Sequence, residues 1–560
     1  MNPRAPHKGP APHPGPGARG AQAPTSRRRG PSRRRLLEGL LGGAAVVGGG
    51  VVLASCTGSG SGGGSTGSAS PTTTPAATVT QLEPTSYDDS DPYRPLYHYS
   101  PASGDMADPN GLLADDGTFH LFHQTWGTWV HATSTDLMAW RDRGVALEHD
   151  DLGQAMSGSA VVDADNVSGL VDGGGVLAFY TSTEGGEAPS VAYSTDGGST
   201  WQRYDGNPVI ANDGRSDFRD PKVFHHEDSD AWVMVIAAGD HVEIHRSTNL
   251  LTWEHASDFG ADVGLHAAVW ECPDLFPLED PSGATRWVLH VSVGASDETE
   301  GSTAQYLLGD FDGTTFTPSD STVRVTDGGQ DFYAAQSFEN LAGRRVWMAW
   351  AGNWSYPYDL PTGDWHGEMS VPRELSLVTV GGKTVLAQAP VGELEAYHGD
   401  VLDVSGASVT DDSTVIGVGR SLDMTLELDV SEATKAWVSV ARGTVDGALQ
   451  EVLVGVDRSA KQLFLNREAS GVTTVSGSDS PETDFALARF VDYEPIDDRV
   501  RLRILLDRSS LEVFVDDGSP AATMLVLNDP GAQDVAVGAD GTVTVVSGTL
   551  TTMGDAMGRD

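Results

Sequence analysis

Three copies of one short pattern constrain the fold of this chain more than any other feature. Ser134-Thr135-Asp136 leads to Trp140, Ser194-Thr195-Asp196 to Trp201, and Ser247-Thr248-Asn249 to Trp253, so the tryptophans stand 61 and 52 residues apart. Each copy follows a strand-like segment such as Val191-Ala192-Tyr193 or Val242-Glu243-Ile244. Short strands, turn residues and one aromatic anchor per unit, repeated at this spacing, are the pattern of β-propeller blades. Runs such as Trp232-Val233-Met234-Val235-Ile236 and Trp287-Val288-Leu289-His290-Val291 supply the buried strands, and the region shows little helical periodicity. In a propeller the inner strands of all blades converge on one funnel, so residues distant in sequence meet there.

Three acidic motifs are spread across the same region: Asp108-Pro109-Asn110-Gly111, Arg219-Asp220-Pro221-Lys222 and Glu271-Cys272-Pro273-Asp274. Each sets a carboxylate beside a proline or glycine that restricts or frees the local backbone, which predicts side chains projecting from rigid points. Cleaving a glycosidic bond needs one carboxyl group to protonate the leaving oxygen and another to attack or stabilise the sugar. With 79 Asp and Glu in the chain, an acidic residue taken at random is a solvated surface group. It is the local contexts that single out these three.

Composition excludes several classes of partner. A chain of 560 residues has room for roughly two to four domains. Beyond residue 55 it carries 26 basic residues against 78 acidic ones, a formal charge of −52. Such a surface repels nucleic acid and anionic lipid, and suits a neutral substrate. The basic head is different: Ser32-Arg33-Arg34-Arg35-Leu36-Leu37 precedes a Gly-rich apolar run from Gly39 to Ala54, and resembles a twin-arginine export signal. The run is shorter than the roughly 20 residues of a membrane span. Leu53-Ala54-Ser55-Cys56 resembles a bacterial lipobox, which makes Cys56 the expected lipidation site; the alternative is a plain cleaved signal. Cys56 and Cys272 are the two cysteines of the chain, so a lipidated Cys56 leaves no internal disulfide. From Thr57 to about Ala77 the chain is nearly all Gly, Ser, Thr and Pro, a flexible tether.

Four further motifs stand in order along the chain: Phe119-His120-Leu121-Phe122-His123-Gln124, Ser157-Gly158-Ser159-Ala160-Val161, Asp331-Phe332-Tyr333-Ala334-Ala335-Gln336 and Pro372-Arg373-Glu374-Leu375-Ser376-Leu377. With the three acidic motifs they resemble glycoside hydrolase family 32, the invertase, inulinase and levanase group, from about Tyr97 to Met553. The resemblance implies an all-β chain, a five-bladed β-propeller followed by a C-terminal β-sandwich. It also implies a retaining mechanism with Asp108 as nucleophile, Glu271 as acid/base and Asp220 as a binder of the fructose hydroxyls. Asn110, Gln124, Trp126, Ser157, Gly158, Arg219 and Trp354 match positions expected to bind substrate. Arg219 is placed to orient acidic groups, and Cys272 either modulates Glu271 or packs as a buried thiol. No His and Cys cluster has metal-ligand spacing, so neither metal nor cofactor is expected.

The domains read as an export signal (1–55), a tether (56–90), a propeller (91–395) and a sandwich (399–553). In the last of these, Leu422-Asp423-Met424-Thr425-Leu426-Glu427-Leu428, Val500 to Leu506 and Leu511 to Val515 alternate with period two, and Asp516-Asp517-Gly518 reads as a turn. Two departures from the family stand out: Asp105-Met106-Ala107 replaces the usual Trp-Met-Asn before the nucleophile, and the segment between Gln124 and His131 is compressed. The expected activity is exo-hydrolysis of a fructan, levan or inulin, by a lipid-anchored extracellular enzyme. A disaccharide-releasing levanase, a fructosyltransferase on the same site and a non-catalytic fructan-binding lipoprotein are the alternatives. A sialidase is a fourth reading, because Ser194 to Trp201 resembles that family's Asp-box.

Overall fold

The computed structural model describes residues 90–476 and 482–558. The expected export signal, Cys56 and all of the expected tether except Ser90 lie outside the described residues. Among the described residues, helix is confined to two 3-10 segments, Glu227–Ser229 and Gly392–Tyr397.

Five antiparallel sheets form the propeller, each from one continuous stretch of chain. Their innermost strands are Pro109–Asp115, Ala155–Asp163, Phe218–His226, Trp270–Glu279 and Tyr333–Ser337, which open blades I to V. The ring closes where Ala114 N–H donates to the Glu339 carbonyl (3.0 Å) and Glu339 N–H to the Leu112 carbonyl (2.9 Å). In blade V the chain leaves strand Val346–Trp350, detours through residues 351–372 and returns as Arg373–Val380. A short parallel pair, Gly104–Asp105 with Trp365–His366, ties that detour to the segment before blade I.

The repeat seen in the sequence is a structural device. In each copy the Asp or Asn at the third position caps its own turn: Asp136 Oδ1 accepts from the Met138 and Ala139 amides, Asp196 Oδ1 from Thr200, Asn249 Oδ1 from Leu251 and Thr252. The tryptophan that follows then packs on an aromatic ring of the preceding blade. Trp201 meets Phe122 (5.6 Å between centroids), Trp253 meets Phe179 (5.9 Å), and Trp140 meets Phe338 of blade V (6.4 Å). These rings hold blade to blade. Asp196 also accepts the Thr200 hydroxyl at 2.7 Å, so the Asp-box-like segment is bonded within its own turn.

Past the propeller, two long strands, Leu422–Val445 and Asp534–Met553, run side by side through both layers of a sandwich. Register breaks near Asp429 and Ala433 bend the first of them, so its early half pairs with Arg499–Leu506 and its late half with Ala448–Asp457. Leu422, Met424, Leu426, Leu428, Val500, Leu502 and Ile504 point into one core as their alternation predicts. Ser510–Val515 does not alternate: all six residues are buried. Its second face is covered by the propeller, where Leu505, Phe514 and Ala521 join a core containing Tyr97, Met348 and Val371.

That seam also buries ions. Arg373 binds Glu512 and, at 2.9 Å, Asp327; Arg467 binds Asp331 at 2.6 Å and the Tyr356 hydroxyl at 2.7 Å. His98 lies between Asp507 (3.1 Å) and Glu512 (2.9 Å). Burial alone pushes its pKa down, but hydrogen bonds to the two carboxylates outweigh that and raise it to about 10.

Candidate active site

Each inner strand loses register once, between Asn110 and Leu113, Met156 and Gly158, Arg219 and Lys222, Glu271 and Asp274, and Tyr333 and Gln336. In four of these bulges one residue is left-handed: Gly111 (φ 53°), Asp220 (64°), Cys272 (47°) and Ala334 (54°). A bulge re-aims the side chains on either side of it. Pro221 and Pro273 directly follow the left-handed residue, inside the bulge, where the pairing is already broken and a missing N–H costs little. The rigid points expected from proline are therefore set by the bulges that the prolines occupy.

The three predicted carboxylates are brought together and buried, with Asp108 0 %, Asp220 3 % and Glu271 1 % exposed. Cys272 sits between two of them: its amide donates to Asp220 Oδ2 (3.0 Å), while its Sγ lies 3.5 Å from that oxygen and 3.8 Å from Asp108 Oδ2. Of the two readings of Cys272, modulation of Glu271 or a buried thiol, the second agrees with its 2 % exposure, and its left-handed backbone brings its amide and thiol to Asp220 and Asp108. A second link runs through blade II. Asp220 N–H donates to Thr181 Oγ1 (2.9 Å), Thr181 to the Ser157 carbonyl (3.0 Å), and the Ser157 hydroxyl to Asp108 Oδ2 (2.7 Å).

Glu271 is held from two sides. Arg219 donates to Oε1 from Nε (3.0 Å) and Nη2 (2.9 Å), and the Tyr333 hydroxyl donates to Oε2 at 2.5 Å. Burial first, and Glu271 second, push the Tyr333 pKa well above its ordinary value, so the phenol stays a donor. Arg219 in turn bonds Glu187 (2.7 Å) and Asp217 (2.9 Å), so one guanidinium bridges three acidic side chains. Below the funnel, Asp274 accepts the Ser337 amide at 2.6 Å and pairs with Lys222 at 3.3 Å, so the last residues of two motifs tie blades together.

Asn110 Oδ1 accepts the Gly158 amide (3.1 Å), and its buried Nδ2 has no acceptor among the described residues. At Gly158 a Cβ would lie 1.9 Å from the Phe179 carbonyl, so this position admits no side chain and serves through its amide. Gln124 Nε2 donates to the Ala155 carbonyl (3.1 Å). Trp354 packs at 5.0 Å from Trp350 and 6.3 Å from both Tyr333 and Tyr358, and Trp126 lies 4.7 Å from Tyr358. Together these rings form an aromatic wall leading to Tyr333.

Sequence reasoning missed Tyr333, Thr181, Glu187 and Asp217. Tyr333 holds the same place in its bulge as Glu271 and Arg219 do in theirs, a register that the quoted Asp331 to Gln336 motif carried. Glu187 reaches Arg219 from the Ser182–Ala188 turn, with no local signal. No metal-ligand spacing was read from the chain, but pairing of strands gathers His241, Glu243 and Asp258 with ligand atoms within 4.8 Å. Glu243 there is already bonded to Arg215 (2.7 Å) and His245 (2.9 Å).

A propeller whose funnel gathers three buried carboxylates has the architecture of a glycoside hydrolase. Residues 98–390 match the glycosyl hydrolases family 32 N-terminal domain, and residues 394–552 the family 32 C-terminal domain. The chain belongs to glycosyl hydrolase family 32. It is 41 % identical to a levanase of Bacillus subtilis (strain 168), over 83 % of this chain and 71 % of the levanase. An extracellular exo-inulinase of Aspergillus niger is 36 % identical over 77 % of this chain and 89 % of its own length. The crystal structure of the exo-inulinase from Aspergillus awamori superposes with a TM-score of 0.75 at 32 % identity, covering 84 % of this chain and all of that one.

Proposed function

We propose that this chain is a β-fructosidase that hydrolyses fructans, levan or inulin, from the chain end and with retention of configuration. The observation that supports it most is the convergence of Asp108, Asp220 and Glu271 around Cys272 and Arg219 at the closed base of the funnel. Asp108, oriented by Ser157, attacks C2 of the terminal fructose while Glu271 protonates the departing oxygen; Glu271 then takes a proton from water as that water displaces Asp108. Asp220 binds the ring hydroxyls, and bonds that tighten as positive charge grows on the sugar favour the transition state. Asn110, whose Nδ2 has no acceptor among the described residues, is a further donor for a hydroxyl. The relatives named levanase and exo-inulinase agree with this reading.

The test is to incubate the protein with levan, inulin and sucrose and resolve products by size over time. Free fructose from a polymer is the expected product; a disaccharide would move cleavage one unit inward, and transfer products at high sugar would assign the same site to fructosyl transfer. No product from any of the three would leave a capture protein. We also infer export through the twin-arginine segment and lipid attachment at Cys56, supported by the lipobox order Leu53-Ala54-Ser55-Cys56 and, for export alone, by the relatives named extracellular. Cys56→Ala is expected to release the enzyme from the membrane fraction into the medium; unchanged membrane retention would refute the anchor.

A further inference from the structure

The compressed segment after Gln124 forms a two-residue hairpin, Trp126-Gly127, between strands Thr118–Thr125 and Thr128–Ser134. Both residues are left-handed, Trp126 at φ 52° and Gly127 at φ 77°. Positive φ at both central positions is the type I′ geometry that suits a hairpin's twist, but it normally takes Asn or Gly at the first position. A bulky residue is strained there and persists when its surroundings hold it. Asp105 provides that hold: its Oδ2 accepts from Trp126 Nε1 at 2.6 Å. The other oxygen, Oδ1, bonds His366 Nδ1 at 2.7 Å, and the Asp105 carbonyl accepts from Thr125 Oγ1 at 2.9 Å.

One carboxylate thus clasps two parts of the funnel rim, the hairpin of blade I and the 351–372 detour of blade V. The parallel pairing of Asp105 with His366 fixes its place between them. The clasp sets the Trp126 ring against Tyr358, at the outer end of the aromatic wall that continues through Trp354 to Tyr333. Asp108 is wholly buried at the base, whereas the Asp105 and His366 side chains are 18 % and 25 % exposed. A sugar chain whose terminal unit reaches Asp108 would pass its next units along this partly open wall. Aromatic faces suit the apolar faces of sugars.

We propose that Asp105 is a positioning residue that fixes Trp126 and so sets how the enzyme discriminates among leaving groups. The inference rests on the fructan-cleaving reading above. Its test compares kcat/KM on sucrose, whose leaving group is one glucose, with kcat/KM on a levan-type oligosaccharide whose leaving group is longer. The protein, Asp105→Ala, Trp126→Phe and the double variant are assayed, with active concentration normalised by the folded fraction. Losing a hydrogen bond to a charged group is expected to lower the ratio of long-substrate to sucrose kcat/KM about tenfold. Trp126→Phe, which keeps an aromatic ring and removes the N–H, shifts the ratio the same way, and the double variant adds nothing further. Equal losses on both substrates, or additive losses in the double variant, would overturn the proposal. If Asp105→Ala fails to fold, Trp126→Phe against the unaltered protein decides alone, an unchanged ratio refuting the clasp. Failure of the unaltered protein to cleave either substrate would instead overturn the reading on which the proposal stands.

Discussion

Carboxylates are buried in two regions of this molecule, and the donors around them differ. In the seam between propeller and sandwich, Glu512 meets Arg373, Asp331 meets Arg467 and Asp507 meets His98, each a cation from across the boundary. In the funnel, Glu271 also meets a cation, Arg219, while Asp108 and Asp220 accept from a hydroxyl, a thiol and an amide. A full cation pressed on a carboxylate answers its charge within the protein, whereas neutral donors orient it and leave its charge for the substrate. Burial of an acid therefore says little about its role until its donors are known.

The comparison breaks first if the seam can lose a charge cheaply. Asp331→Ala strands the Arg467 guanidinium in a buried site, and a loss of about 3–5 kcal/mol in denaturant unfolding is expected. An unchanged midpoint would remove the seam's structural role. In the funnel, Tyr333→Phe deletes one of the donors on Glu271 and is expected to reduce kcat about tenfold with little change in unfolding.

The pH dependence of unfolding sharpens the contrast. His98 is raised from 6.5 to about 10, so the stability it contributes is full below pH 6.5 and is lost as pH rises through 10. Asp507 is depressed to about 2, chiefly by its hydrogen bond to His98 working against burial, so its contribution is present above about pH 4 and lost as pH falls through 2. Glu368 beside the seam is raised to about 7 by burial, and its contribution fades between pH 4.5 and 7. Thermal melts across pH should fall at both extremes, and His98→Gln should flatten the alkaline fall. The smallest effect belongs to the repeat: Asp196→Ala removes one turn cap and is expected to cost about 1 kcal/mol with activity kept.

The blades and the three acids were legible because both are local signals. A Ser-Thr-Asp turn with its tryptophan recurs in sequence, and each acid stands in a short motif with a proline, two of which, Pro221 and Pro273, lie in bulges. Glu187 was not legible, because it reaches Arg219 across 32 residues from a turn. The full burial of Ser510–Val515 was hidden for a similar reason, since alternation reports one sheet face and not the domain packed on the other. In the sequence Asp105 stood out only as a departure from the family pattern; in the structure it holds Trp126 in place.

The most direct test is Asp108→Asn, with kcat per folded molecule on levan and the unfolding midpoint measured on the same preparation. The account predicts a loss in kcat of at least about a thousandfold with the midpoint unchanged or raised, because a charge kept for substrate is a cost to the free protein. A variant that keeps its activity, or that loses activity only as it unfolds, would place Asp108 with the seam carboxylates and contradict the account.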